Sequence, residues 1–199
     1  MTLHELPPGY GELRRYILME RKLLIALNIA SLISIAAAIV VMAVWQVIVG
    51  MLRGAGVIQP LNLTLEIPSW IITVLILLLI LPFHEILHGL AIGRVGHPVR
   101  YGFKLEYGVL YAMSENKLFR RNEYLFVLLT PITVITLLGM LANLWMPDSW
   151  AFTIALAVIL NAGGAIGDLW MAATLRRYPR SVIIRDDATG FTVFSKSDA

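Results

Sequence analysis

Four apolar runs, at residues 23–49, 70–92, 124–146 and 150–175, dominate this chain. Each is long enough to cross a hydrocarbon layer of about 30 Å, which takes about 20 helical residues. A segment inside that layer has no water to bond with, so it must satisfy its own backbone N–H and C=O groups by coiling into a helix. The runs therefore predict an all-α membrane protein: four transmembrane helices in a single domain over residues 1–199. Composition agrees, since 58% of the residues are hydrophobic and mean hydropathy is +0.77, well above the range of a soluble domain. The first run is too long for the apolar core of a signal peptide and has no small-residue cleavage site, so it is expected to stay attached.

Charge orients the bundle, because Lys and Arg near span ends are retained on the cytoplasmic side. Before the first span lie Arg14, Arg15, Arg21 and Lys22. Between the second and third lie Arg94, Arg100, Lys104, Lys117, Arg120 and Arg121. After the fourth come Arg176, Arg177, Arg180, Arg185 and Lys196, and the other two connections hold Arg53 alone. Both termini are thus expected in the cytoplasm, in a multi-pass protein of the cell membrane. The net charge of +3 reads as topology and contact with anionic headgroups. Basic residues are not interleaved with exposed aromatics as a nucleic-acid surface would require, so no nucleic-acid partner is expected. Cysteine is absent, which excludes disulfides and thiolate ligands and leaves His and carboxylates to hold any metal.

The connections carry strand-like patterns. Residues 61–67 alternate apolar and polar side chains up to Pro68, predicting a short external strand. The alternation from Val99 to Tyr111 is longer and predicts a long strand or a hairpin bent at a glycine. In the tail, residues 182–184, a DDATG turn and residues 191–194 read as a small hairpin. The basic stretch RRYILMERK is suited to an amphipathic helix on the membrane surface, or to a solvated start of the first span. Pro82 and Pro131 are expected to kink the second and third spans.

Within the second span stand His84, Glu85 and His88, an H-E-x-x-H pattern on a helix. Residues four apart share a helical face, so both imidazoles can reach one ion, while Glu85 projects about 100° around the axis. Ionisable groups inside a span are costly and mark function by default; the plainer reading is a hydrogen-bonded polar pair closing the bundle. A catalytic zinc takes three protein ligands and keeps one open position. The extended metzincin pattern fails, since Ala91 and Arg94 stand where it needs Gly and His. His97, Glu106, Glu115 and Glu123 lie in the polar cytoplasmic segment, whereas Asp168 is the only carboxylate inside a later span. Measured from the helix-end arginines, Asp168 lies about 12 Å above Arg176, between His84 at about 15 Å and His88 at about 9 Å above Arg94. That depth makes Asp168 a candidate third ligand, with a partner of a ligating histidine or a structural role as the alternatives. Asn161, seven residues earlier on nearly the same face, is placed for substrate, for a developing oxyanion or for an interhelical hydrogen bond. Gly163, Gly164 and Gly167 read as packing residues that let a neighbouring helix approach.

These residues resemble the putative zincin peptidases, small integral membrane proteins distantly similar to site-2 intramembrane metalloproteases. The resemblance is carried by LPPGY, HEILHG, GHPVRYGF, LLTP and NAGGAIGD, and so covers nearly the whole chain. It implies zinc held by His84, His88 and Asp168, with Glu85 as catalytic base. The chain departs from the site-2 pattern in lacking an NPxP run and a Gly after the aspartate. The implied activity is a zinc-dependent intramembrane metallopeptidase that hydrolyses membrane protein or peptide substrates near the cytoplasmic face. Two other classes stay open: a metal-binding regulatory membrane protein without peptidase activity, and an ion or proton carrier using the same polar residues as a relay.

Overall fold

The computed structural model of the chain describes residues 5–63, 69–104, 109–114, 117–187 and 190–196. Three long helices follow the first three apolar runs: α1 (Arg21–Gly54), α2 (Ser69–Arg94) and α3 (Arg121–Trp145). At about 1.5 Å per residue, the 34 residues of α1 rise about 51 Å, more than a hydrocarbon layer needs. The fourth run is broken. It forms α4 (Asp148–Gly164) and α5 (Ile166–Leu175), whose axes are bent by 48°. Among the described residues there are thus three helices long and apolar enough to cross a membrane, or four if the bent pair counts as one span. Their outer faces are oily: Leu32, Ile33 and Leu78 are 68%, 66% and 66% exposed, a surface suited to lipid tails rather than water. Pro82 and Pro131 lie inside α2 and α3, each of which continues as one element. The break falls instead at Ala165, where no proline stands.

Among the described residues, two small antiparallel sheets accompany the helices. β2 (Arg100–Lys104) and β3 (Val109–Met113) pair with Tyr101 opposite Ala112 and Gly102 opposite Tyr111. The alternation at 99–111 is therefore a hairpin rather than one long strand; its tip, 105–108, lies outside the described residues. The second sheet has the order β1-β6-β5-β4, built from β1 (Tyr10–Ile17), β4 (Leu118–Arg120), β5 (Ile183–Asp187) and β6 (Gly190–Lys196). β5 and β6 are the expected tail hairpin. The basic N-terminal stretch corrects its reading as a surface helix, since residues up to Ile17 form a strand. β6 supplies ladder partners from Tyr10–Lys196 to Ile17–Gly190, and Tyr16 stacks on Phe191 with ring centroids 4.8 Å apart. A Cβ at Gly190 would meet the Tyr16 carbonyl oxygen at 1.9 Å, so only glycine lets the two strands approach there. Residues 61–63 belong to no regular element, and 64–68, the rest of the expected external strand, lie outside the described residues.

Contacts divide the chain into two compact units. The first comprises Met1–Asn28, Glu85–Pro131 and Gly167–Ala199. Its core joins Ala91, Ile92, Phe119, Tyr124, Val127, Leu175, Ile184, Phe191 and Val193. Both sheets belong to it. The second comprises Ile29–His84 and Ile132–Ile166, and its regular elements among the described residues are helices. In that unit polar side chains on α1 donate to backbone carbonyls of α3, α4 and the turn between them: Trp45 to Met140 at 3.1 Å, Gln46 to Ala151 at 3.4 Å, and Arg53 to Asn143, Leu144 and, just past α3, Met146. Such hydrogen bonds and close small-residue contacts are what give apolar helices a specific association where burial of apolar surface does not discriminate.

Candidate metal centre

The histidines of α2 lie one turn apart on one continuous helix, each 7% exposed. Their rings are oriented by partners of two kinds. His84 Nδ1 meets Asn161 Oδ1 at 2.8 Å, and His88 Nδ1 meets the Val127 carbonyl oxygen at 3.0 Å. Both oxygens can only accept, so each Nδ1 carries the proton and each Nε2 is left as the nitrogen able to ligate. Such outer hydrogen bonds are the usual means of fixing a ligating imidazole.

Asp168 stands in the first turn of α5. One ligand atom from each of His84, His88 and Asp168 falls within 4.8 Å of the others. The His88 Nε2 to Asp168 Oδ2 separation is 3.3 Å. Two ligands of a tetrahedral zinc with bonds of about 2.05 Å are separated by about 3.3 Å along the tetrahedron's edge, so this pair has the spacing of co-ligands. Two imidazoles and one carboxylate also form a donor set suited to zinc. The residues fit the metal.

Glu85 accepts a hydrogen bond from the Ala112 backbone N–H, donor to Oε2 2.8 Å. The β2–β3 hairpin therefore reaches the glutamate of the motif. The same hairpin rests on the next turn of α2, where a Cβ at Gly89 would meet the Tyr101 hydroxyl at 2.0 Å. Glycine after the second histidine is what lets the tyrosine lie there.

The other candidates go elsewhere. His97 is buried with its ring 4.5 Å from that of Phe119. Glu123 accepts the Arg120 N–H at 2.8 Å, capping the start of α3. Glu106 and Glu115 lie outside the described residues. Of the three glycines, Gly163 is the one in tight contact, since a Cβ there would meet Ile35 at 2.7 Å; Gly164 is looser, and Gly167 has nothing within 4 Å among the described residues.

Sequence reasoning passed over two contributors to the site and one further carboxylate, Asp186. The Val127 carbonyl and the Ala112 amide are backbone groups that any residue supplies, so no side-chain pattern points to them. Asp186 did leave a signal: two residues past Ile184 on β5, it shares that residue's inward face. It accepts a 2.7 Å hydrogen bond from the Tyr124 hydroxyl. Burial pushes its carboxyl up to about 7, against the opposing pull of the Tyr124 hydrogen bond.

Among known proteins, the family described as Putative zincin peptidase matches residues 75–183, more than half of the chain. The matched span contains the HEILH pattern, Asn161 and Asp168. No curated protein and no solved structure matches.

Proposed function

The chain belongs to the Putative zincin peptidase family, and on that premise we propose that it is a zinc-dependent intramembrane metallopeptidase acting near the cytoplasmic face of the cell membrane. The observation that carries the reading is the convergence of His84, His88 and Asp168 among helices apolar enough to span a bilayer. Zinc is the cofactor, held by those three side chains. When bound there it supplies Lewis-acid polarisation of a carbonyl and makes water easier to deprotonate.

The chain's own residues supply the rest. Glu85, on the same turn as His84, serves as general base: its carboxylate takes a proton from the attacking water and hands it to the departing amine as the peptide C–N bond breaks. The Ala112 N–H on Oε2 steadies that carboxylate. Asn161 and the Val127 carbonyl hold the imidazoles to their tautomers. Asp168 adds negative charge to the donor set. Substrates are membrane proteins or peptides that reach the site extended, because a helical segment hides its carbonyls in its own hydrogen bonds. The edge of the β2–β3 hairpin is the surface for presenting such a segment. The basic residues flanking the spans support a topology with both termini in the cytoplasm.

The test compares cells expressing wild type or Glu85→Gln, by profiling new N-termini among membrane proteins and measuring zinc in each purified protein. Wild-type-dependent fragments should fall by about 100-fold or more in the variant, with zinc retained in both. Fragments that persist in Glu85→Gln, or zinc-loaded wild type that generates none, favour a non-peptidase metal protein instead.

A further inference from the structure

We infer that Ser31 and Ser34 of α1 are positioning residues for the metal centre: they hold open the break between α4 and α5 that sets Asn161 and Asp168 against the two histidines. The inference rests on the metallopeptidase reading and deepens it. α1 lies outside residues 75–183, so the family match assigns it no part in the site.

The spacing of the ligands creates the need. His84 and His88 are four residues apart, a rise of about 6 Å, whereas the seven residues from Asn161 to Asp168 would rise about 10.5 Å in a straight helix. Yet Asn161 bonds His84 and Asp168 meets His88. The 48° bend falls between Asn161 and Asp168, where it can take up the mismatch. Ala165 ends α4 with φ −75° and ψ 5°, its N–H reaching the Asn161 carbonyl at 2.9 Å.

A bend inside an apolar helix has a cost. The carbonyls of Ala162 and Gly163 would address the N–H groups of residues 166 and 167 in an unbroken helix, and those residues lie on the far side of the bend. Carbonyls disturbed in this way need donors from a neighbouring helix, and hydroxyl side chains are the usual source. The Ser34 hydroxyl donates to the Ala162 carbonyl at 2.7 Å, and the Ser31 hydroxyl donates to the Gly163 carbonyl at 2.9 Å. The serines are three residues apart and so share one face of α1. Gly163 completes the device, because a Cβ there would meet Ile35 at 2.7 Å and the Ser31 hydroxyl oxygen at 3.3 Å. Two hydroxyls, one glycine and one bend meet at the same two carbonyls. Packing alone would not require donors at those positions.

The experiment is Co(II) titration of the purified full chain in detergent, read by the visible ligand-field spectrum. The proteins compared are wild type, Ser31→Ala/Ser34→Ala, Ser31→Thr/Ser34→Thr and Thr153→Val. The last removes a different interhelical contact, the 2.7 Å Thr73–Thr153 hydroxyl pair, and controls for general loosening. The double alanine variant should bind Co(II) about 10- to 100-fold more weakly, the range expected when a ligand's support is removed, with an altered spectrum. The threonine pair should restore both, and Thr153→Val should change neither. Wild-type affinity and spectrum in a folded double alanine variant overturn the inference. If that protein does not fold, Ser34→Ala alone decides in the same way. Wild type that takes up no Co(II) is a different failure: it removes the metallopeptidase reading, and this inference with it.

Discussion

Asn143 near the end of α3 and Asn161 near the end of α4 are buried to the same degree, each 2% exposed, but their amides meet different surroundings. The Oδ1 of Asn161 accepts from His84 Nδ1, which leaves Nδ2 without a partner among the described residues, whereas neither polar atom of Asn143 has one there. Beside Asn143 the polar work is done by Arg53, which pairs with Asp148 and donates to three carbonyls in the last turn of α3 and just beyond it. Those carbonyls have no partners within the helix, and a cation at a helix C-terminus answers both their hydrogen bonding and the helix dipole. One end of the bundle therefore uses buried polarity to finish a helix. The other uses it to aim a ring nitrogen. Burial of a polar residue in an apolar helix does not distinguish structure from function; what its hydrogen bond reaches does.

Substitutions sharpen this contrast. Arg53→Ala strips donors from the α3 terminus, and hydrogen bonds to a charged group are worth about 1.5–3 kcal/mol. The folded protein should lose about 2–3 kcal/mol of stability in thermal unfolding while binding metal with unchanged affinity. Asn161→Leu should do the reverse, lowering metal affinity about 10- to 100-fold by releasing His84 with a smaller effect on unfolding. Asn143→Leu should have the least effect. Replacing an unpaired buried amide by an apolar group of similar size is close to neutral or mildly stabilising, and calorimetry with metal titration should show unchanged affinity. Loss of metal binding in Asn143→Leu would erase the distinction between the two ends.

Much of this was written where the chain has a period or a boundary. Apolar length announced the helices, and the i, i+4 spacing of His84 and His88 announced one shared face. Arginines at the helix ends served as marks from which residues could be counted along two helices, and at about 1.5 Å per residue Asp168 falls level with the histidines. The tail hairpin was visible from alternation around a turn. β1 was not, since its ladder partner β6 comes from the far end of the chain and the local pattern RRYILMERK suits a helix equally well. The break at Ala165 was hidden for a related reason. No proline marks it, and the serines that sustain it sit on α1, more than a hundred residues earlier. NAGGAIGD reads as a packing motif, and Gly163 does pack closely, but the bend depends on carbonyls that carry no side-chain signature.

The most direct test is the zinc content of the purified protein by mass spectrometry, wild type beside His84→Ala and Asp168→Ala, with helical content checked in each. The account predicts one zinc per wild-type chain and loss of that zinc in both variants, since a three-ligand site on two separate helices does not survive losing either contribution. Wild type free of metal, or an Asp168→Ala protein that keeps its zinc at wild-type affinity, would contradict it.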